Sequence, residues 1–194
     1  MRIGIDIDDT ISDTYEVYFA YAEKYVIEDL HRDGKINNDA EIHHHYIKNM
    51  FNLTQKEEDD FWDKYYAKNL HKVKPLTLAR ETIEQLKKDG HEIVIITARW
   101  PEKNFDIREE TIKWLSDNNI KFDDIVLNAA NKAVAAREKK IDLFIDDSFK
   151  NCEDVSSAGI TTFLMDTRTN KGLEKENITR VYSWPDIYYK IKRM

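Results

Sequence analysis

The chain has 194 residues, which is enough for one ordinary hydrophobic core and an insertion. Its formal net charge of −7 disfavours broad binding to polymeric nucleic acid or to anionic membranes, although a local site for a small anionic substrate is compatible with it. The single cysteine, Cys152, excludes an internal disulfide and is more typical of a small semi-buried side chain than of a nucleophile. The chain begins directly with a strand and has no apolar stretch long enough to span a bilayer, so we expect a cytoplasmic protein.

The first predicted element is an apolar strand, and its end carries acidic residues and a threonine within residues 1–10. Asp6 and Asp8 are two positions apart, so on a strand both side chains point to the same face. Two like charges at the end of a buried strand are costly unless a positive group lies between them. A hard divalent cation with oxygen ligands would satisfy both carboxylates, and a phosphate could then join its shell.

Residues 13–74 follow this strand and contain no convincing strand pattern. They are rich in aromatic and charged residues and predict several helices, one of which begins at a capping box formed by Thr54 and Glu57. We therefore expect a helical cap over residues 13–74, inserted after the first strand, and a catalytic core formed by residues 1–12 and 75–194.

Beyond the insertion, helical and strand patterns alternate to the end of the chain. The predicted strands are residues 92–97, 124–127, 141–145 and 160–164. The predicted helices are a stripe from 78 to 86 that ends at Gly90, then 105–118, 131–139, one ending near Gly159, and 184–191. This alternation predicts an α/β fold, a Rossmann-like three-layer α/β/α core whose parallel sheet is covered on both faces.

Side chains that can carry chemistry fall at the ends of four predicted strands. They are Asp6 and Asp8 after the first, Thr97 after the second, the segment 128–132 after the third, and Asp146 with Asp147 after the fourth. Ligands of parallel sheets bind at this edge. Carboxylates can hold Mg²⁺, attack phosphorus or move a proton, while the hydroxyl and backbone amide of Thr97 and a lysine can bind phosphate oxygens. Each residue alone has a structural explanation, such as a helix cap or a surface lysine, but their shared location argues against coincidence.

These segments resemble the haloacid dehalogenase-like superfamily. Asp-Ile-Asp-Asp-Thr at 6–10 matches its first motif, Ile-Ile-Thr at 95–97 its second, Lys132 its third, and Phe-Ile-Asp-Asp at 144–147 its fourth. The helical insertion after the first motif, Ile-Thr-Ala-Arg at 96–99 and Ser-Trp-Pro-Asp at 183–186 resemble the 5'(3')-deoxyribonucleotidase family and its bacterial relatives.

The resemblance implies a role for each of these residues. Asp6 is the expected nucleophile, and Asp8 is the expected general acid–base, which also gives its backbone carbonyl to Mg²⁺. Thr97 and Lys132 are expected to bind the phosphoryl group. The implied metal ligands are Asp6, Asp8, Asp146 and Asp147, with Asp147 the stronger candidate of the last pair.

Positions in or beside the first three motifs leave alternatives open. Arg99 is assigned to phosphate or substrate binding, and a structural ion pair is an equally good alternative. Lys139 and Lys140 compete with Lys132 as the third-motif lysine. Asp9 replaces the glycine often found at its position in the superfamily, so the local turn is expected to differ and its role stays open.

The predicted cap is rich in aromatic residues, on which a nucleotidase could stack a base. Tyr15 and Phe19 are the first candidates because they lie soon after the catalytic loop, although helical spacing favours core packing for any of these rings. Adjacent histidines, His43, His44 and His45, point in different directions on a helix and are not expected to share a metal ion.

Together these features predict a Mg²⁺-dependent phosphomonoester hydrolase that acts through an aspartyl-phosphate, with nucleoside monophosphates as the favoured substrates. The alternative substrate is another small metabolite, such as a sugar phosphate. The alternative from another class is a receiver-like phosphoacceptor signalling domain, which combines similar residues on a parallel sheet but places its acceptor aspartate on a middle strand. A homodimer is compatible with the sequence.

Overall fold

The computed structural model describes residues 1–43, 45–100 and 105–194. Within them, one parallel sheet is formed by β1 (Arg2–Ile5), β2 (Glu92–Ile96), β3 (Asp124–Val126), β4 (Leu143–Asp146), β5 (Thr161–Met165) and β6 (Ile178–Val181). Their order across the sheet is β3-β2-β1-β4-β5-β6. The chain runs outward from β1 to β3 and then returns to β4 on the other side of β1. The switch in strand order therefore lies between β1 and β4, where open parallel sheets bind ligands.

Helices cover both faces of this sheet, which confirms the predicted α/β fold. The helices are α1 (Thr14–Lys24), α2 (Tyr46–Met50), α3 (Gln55–Asn69), α4 (Ala79–Lys88), α5 (Ile107–Asp117), α6 (Lys132–Glu138), α7 (Phe149–Ser157) and α8 (Trp184–Ile191). On one face, α4, α5 and α8 pack against strand residues such as Ile5 and Ile95. On the other face, α6 and α7 pack against Val94 and Phe144.

The central strand β1 is held closely by its neighbours at Gly4. A Cβ atom at this position would lie 3.0 Å from the Phe144 ring and 3.2 Å from the side chains of Ile96 and Ile141. Only glycine leaves room for the bulky residues of the adjacent strands. The residues that follow β1 therefore extend from a tightly packed strand.

Most predicted elements agree with the observed ones to within a few residues. The strand predicted at 141–145 is observed at Leu143–Asp146, and the helix predicted at 184–191 begins and ends as predicted. β6 was missed because its four residues, Ile-Thr-Arg-Val, lie at the edge of the sheet and lack the apolar run of a buried strand.

The insertion between β1 and α4 is mainly helical in its described part. Helix α1 continues into a π-helical turn, Tyr25–Asp29, and packs on α3 around the buried ring of Tyr18. Thr54 forms the predicted capping box: its hydroxyl accepts from the Glu57 amide at 3.2 Å, and its own amide donates to Glu57 Oε2 at 2.8 Å. That residues 13–74 form a separate domain stays a prediction.

The chain enters and leaves the insertion through two adjacent segments. The Asp13 amide donates to the Lys74 carbonyl at 2.8 Å, and the Leu76 amide donates to the Ile11 carbonyl at 2.7 Å. Because these segments start near the carboxyl end of β1, the insertion is attached at the edge of the sheet where the acidic residues lie. Among the described residues, no helix is long and apolar enough to cross a lipid bilayer.

Candidate active site

The carboxyl ends of β1 and β4 bring three aspartates together at the switch point. Asp6 follows β1, and its amide donates to the Ile145 carbonyl at 3.0 Å, so the pairing of the two strands continues through it. Asp146 ends β4 and is buried, like Asp6, and Asp147 follows it directly. One carboxylate oxygen from each of these aspartates lies within 4.8 Å of the other two.

Lys132 supplies a positive charge to this group. It is the first residue of α6, and its buried Nζ donates to Asp6 Oδ1, donates to the Ile96 carbonyl at 2.6 Å, and lies 3.5 Å from Asp146 Oδ2. Its competitor Lys139 instead contacts Asp124 at 2.7 Å, on the strand β3. Of these two lysines, Lys132 is the one that reaches the aspartates at the switch point.

The charge of the buried aspartates is only partly balanced. Burial raises the pKa of Asp6 to about 7, with Lys132 opposing the rise and neighbouring carboxylates adding to it. Burial also raises the pKa of Asp146, again against the effect of Lys132. Burial and neighbouring negative charges raise the pKa of Asp147 well above its ordinary value. A further positive charge among these oxygens would relieve the repulsion.

The donor set suits a hard divalent cation. Mg²⁺ prefers oxygen ligands and commonly takes one or two protein carboxylates together with waters and a substrate phosphate. Asp146 is held firmly, since the Ser148 amide donates to its Oδ1 at 2.8 Å and Asn151 Nδ2 lies 3.1 Å from its Oδ2. Asp147 Oδ1 accepts from the Thr10 hydroxyl at a longer 3.3 Å. The residues present therefore fit Mg²⁺, with Asp147 the less constrained of the adjacent pair.

Arg99 lies against Asp8. Its Nε donates to Asp8 Oδ2 at 2.9 Å and its Nη2 donates to Asp8 Oδ1 at 2.8 Å, and the guanidinium is buried. Burial alone would raise the pKa of Asp8, but the charge and hydrogen bonds of Arg99, together with Thr14 and Lys132, outweigh it and lower this pKa. The geometry thus shows the ion pair that the sequence left open as the alternative for Arg99, and phosphate or substrate binding by Arg99 stays a prediction.

Thr97 follows β2, buried beside the same edge of the sheet. Its amide donates to the Val126 carbonyl at 3.0 Å, so the expectation that this amide binds phosphate is wrong: the pairing of β2 with β3 uses it. Its hydroxyl oxygen accepts from the Arg99 amide at 3.3 Å. The hydroxyl is the group of Thr97 that can still donate to a phosphate oxygen.

Asp9, whose role the sequence left open, adopts a left-handed backbone conformation with φ of 57°. Aspartate tolerates this region better than most residues, which explains how it can replace a glycine there. Its Oδ1 accepts from the Tyr15 amide at 2.6 Å, and the Thr14 hydroxyl donates to Asp8 Oδ1 at 2.9 Å. The side chains of Asp8 and Asp9 therefore both accept hydrogen bonds from the first residues of α1.

The cap candidates Tyr15 and Phe19 lie in an aromatic cluster. Tyr15 stacks on Tyr46 with ring centroids 4.6 Å apart and on Phe19 at 5.5 Å, and Phe19 packs on Phe51 at 5.2 Å. Arg168 also lies over the Tyr15 ring, with its guanidinium carbon 4.4 Å from the centroid. These contacts are those of packed rings, and a role for Tyr15 or Phe19 in substrate binding stays a prediction.

Trp100, which the sequence reasoning did not single out, is a more accessible aromatic residue. It directly follows Arg99, is 46% exposed, and stacks nearly parallel on Tyr66 of α3 with centroids 5.3 Å apart. Its position next to the Arg99–Asp8 pair could have been noticed from the sequence alone, because it continues the strand-end segment that contains Thr97.

Two further residues support the acidic loops from distant parts of the chain. The indole of Trp184 donates to the Thr10 carbonyl at 3.0 Å, and Asn170 Nδ2 donates to the carbonyls of Asp147 and Met165, each at 2.7 Å. The Ser-Trp-Pro-Asp segment indicated a closing helix but not this contact. No sequence pattern pointed to Asn170.

The histidine run and the cysteine have separate surroundings. His43 Nδ1 lies 2.5 Å from the Thr169 carbonyl, His45 Nδ1 lies 3.0 Å from the Glu58 carboxylate, and His44 lies outside the described residues. Cys152 is fully buried, and burial raises the pKa of its thiol well above the ordinary value. Such a thiol is a poor nucleophile.

Comparison with known proteins agrees with this geometry. Residues 1–194 match the model of a family described as 5' nucleotidase, deoxy (pyrimidine), cytosolic type C protein. The chain belongs to this nucleotidase family. A nucleotidase of Clostridium acetobutylicum is 28% identical over 198 residues, which cover 100% of this chain and 95% of the relative. This member of the nucleotidase family is therefore a phosphatase that acts on phosphomonoesters.

Solved structures share the fold of this nucleotidase-family chain. A haloacid dehalogenase-like hydrolase of Streptococcus pneumoniae superposes with a TM-score of 0.67 at 14% identity, covering 100% of this chain and 98% of that one. CbbY of Rhodobacter sphaeroides, solved in complex with phosphate, gives a TM-score of 0.62 at 13% identity and covers 94% of each chain. At these identities the likeness concerns the fold alone.

Proposed function

We propose that the chain hydrolyses nucleoside monophosphates with Mg²⁺, through an aspartyl-phosphate formed on Asp6. The observation that carries this proposal is the surroundings of Asp6: a buried carboxylate at the switch point, with Lys132 on one oxygen and two further aspartates within reach of a shared cation. A nucleophile needs such a fixed position, and the transferring group needs positive charge close to it.

The reaction takes place in two displacements at phosphorus. First, an oxygen of Asp6 forms a bond to phosphorus while the ester P–O bond breaks, and Asp8 gives its proton to the departing alcohol oxygen. Second, a water molecule passes a proton back to Asp8 and its oxygen bonds to phosphorus while the bond between phosphorus and the Asp6 oxygen breaks, which releases inorganic phosphate and restores the Asp6 carboxylate. Lys132 and the hydroxyl of Thr97 bind the phosphoryl oxygens throughout.

Asp6, Asp147 and the backbone carbonyl of Asp8 are the groups we assign to Mg²⁺, with Asp146 in support. When bound, the ion neutralises charge on the phosphoryl group and on the buried carboxylates. The raised pKa values of Asp6 and Asp147 support this assignment: burial, with neighbouring carboxylates adding to it, makes their charged forms costly, and a bound cation would offset that cost.

Support for a nucleoside as the leaving group comes from the family description and from the aromatic residues near the site. Trp100, the residue after Arg99, offers a partly exposed ring, and a base stacked on such a ring gains roughly 1–3 kcal/mol. A cavity of about 220 Å³ also lies against Asp147 and is lined on the insertion side by His43 and Tyr46.

The test is phosphate release from a panel of ribo- and deoxyribonucleoside 5'- and 3'-monophosphates and sugar phosphates, with Mg²⁺ and with EDTA. We expect nucleotide hydrolysis that needs the metal, is lost in Asp6→Asn, and persists in Asp123→Asn, a matched change at the opposite edge of the sheet. Acid-quenched enzyme should carry a phosphoryl group on the peptide that contains Asp6. Full activity of Asp6→Asn or turnover in EDTA would contradict the mechanism, and faster hydrolysis of sugar phosphates would contradict the substrate.

A further inference from the structure

We propose that Arg99 is a positioning residue that fixes the carboxyl group of Asp8 for proton transfer to and from the leaving oxygen. The inference rests on the proposed function, since it assigns a task within the same reaction. It concerns how Asp8 is held, which neither the family nor the motif residues define.

Contacts from both sides restrict the Asp8 carboxyl group. Arg99 binds both oxygens through two separate nitrogens, at 2.9 and 2.8 Å, and the Thr14 hydroxyl donates to Oδ1 at 2.9 Å. A two-point contact of this kind fixes the plane of the carboxylate as well as its position. The side chain of Asp8 is nevertheless 29% exposed, so it is partly accessible while Arg99 and Thr14 set its orientation.

Arg99 is itself fixed by the protein core. Its side chain is 1% exposed, its Nη1 lies 3.5 Å from the Thr111 hydroxyl, and its guanidinium carbon lies 5.7 Å from the centre of the Trp114 ring. Both supporting residues belong to α5, which packs on the sheet. Arg99 thus connects Asp8 to the packed core and holds it in place.

The same contacts argue against a direct role for Arg99 on the phosphate. Each of its three side-chain nitrogens has a partner in the described protein: two lie on Asp8 and one lies near Thr111. Lys132 lies on the other carboxylate of the first motif, Asp6. Each carboxylate of the first motif therefore has its own cationic partner: Lys132 binds Asp6 and Arg99 binds Asp8.

A change in the orientation of Asp8 should affect the proton-transfer step of the reaction. As the Asp6–phosphorus bond forms and the ester bond breaks, the proton must pass from Asp8 to the departing oxygen. A displacement of about 1 Å at such a group can cost about 100-fold in rate. Arg99→Lys keeps the positive charge but loses the planar fork, so it disturbs orientation while retaining much of the electrostatic effect.

The decisive measurement compares kcat/KM for phenyl phosphate and 4-nitrophenyl phosphate, which differ little in size. Phenolate is the more basic leaving group and needs a proton from Asp8, whereas 4-nitrophenolate can leave without one. We expect Arg99→Lys to lower kcat/KM by about 100-fold for phenyl phosphate and by less than about threefold for 4-nitrophenyl phosphate. Ile83→Val, a mild core change in α4, should leave the ratio of the two unchanged. Equal losses on both substrates would overturn the proposal.

A double-mutant cycle separates this role from phosphate binding. If Arg99 acts through Asp8, Arg99→Lys should have little further effect on phenyl phosphate in an Asp8→Asn background. Inhibition by inorganic phosphate should also be unchanged in Arg99→Lys. An undiminished effect in the Asp8→Asn background, or inhibition weakened about tenfold or more, would assign Arg99 to the phosphate instead.

Thr111→Val provides a second variant should Arg99→Lys fail to fold. It removes the hydroxyl near Nη1 and should shift the same substrate ratio in the same direction but by less; an unchanged ratio would then overturn the proposal. Loss of the proposed function would be seen separately, as an absence of wild-type phosphate release or as full activity in Asp6→Asn.

Discussion

Replacing Asp6 by asparagine is expected to abolish turnover and to stabilise the metal-free protein. The pKa of Asp6 rises from 3.8 to about 7 on folding, mainly because burial penalises the charged form. The unfolded chain therefore loses this proton near pH 4, whereas the folded protein keeps it until near pH 7. Stability falls as the pH rises through this window, and the full loss above pH 7 is at most about 4 kcal/mol.

The assay is urea unfolding of wild type and Asp6→Asn in EDTA, at pH 8 and at pH 5. Asparagine cannot ionise, so the variant should gain up to about 4 kcal/mol at pH 8 and only about 2 kcal/mol at pH 5, where the folded wild type is still largely protonated. The gain is an upper limit because Lys132 loses a charged partner in the variant.

Asp124→Asn is the control of opposite sign. The hydrogen bond from Lys139 lowers the pKa of Asp124, so this variant should lose stability at pH 8. Mg²⁺ should raise the unfolding midpoint of the wild type more than that of Asp6→Asn, because binding to the folded state alone adds stability. The reasoning is refuted if Asp6→Asn is less stable than the wild type at pH 8, or if its gain is the same at both pH values.

Further substitutions test the other parts of the site. Lys132→Met should lower kcat by about 100-fold or more, because a buried charge next to the phosphoryl group is lost; a kcat within about threefold of wild type would contradict this. Asn170→Ala should raise the Mg²⁺ concentration for half-maximal activity by about tenfold, because the carbonyl of Asp147 loses its donor, while kcat at saturating Mg²⁺ stays near wild type; an unchanged Mg²⁺ requirement would count against it. Trp100→Ala should raise KM for nucleoside monophosphates by about 5-fold or more and leave ribose 5-phosphate unaffected; equal changes for both would exclude base stacking on this ring.

The sequence could predict the main strands and the residues at their ends because both depend on local pattern. A run of apolar residues followed by Asp6 or Asp146 has the same meaning in any parallel sheet, since carboxyl ends share one edge. β6 could not be predicted in this way. As an edge strand it need not be apolar on both faces, and Arg180 interrupts its apolar pattern.

The partners of the charged residues could not be predicted in the same way. Lys132 is the first residue of α6 and Lys139 follows its last, so the two lysines lie at opposite ends of one short helix. Which of them reaches the nucleophile depends on which end of α6 lies near β1. Asn170 supports Asp147 from a turn after β5, and the contact requires β5 to lie beside β4. Such contacts are set by sheet order, which a single sequence does not state.

The first motif shows how sheet order creates two functions from two similar aspartates. Asp6 and Asp8 leave β1 close together, yet Asp6 receives Lys132 from the segment after β3, and Asp8 receives Arg99 from the segment after β2. Burial is the largest influence on both aspartates: it raises the pKa of Asp6, whereas at Asp8 Arg99, with help from Thr14 and Lys132, outweighs it and lowers the pKa. The two aspartates of the first motif thus lie in different electrostatic environments. The division follows from having β2 directly beside β1 and β3 beyond it, so that both cations reach the same loop from one side.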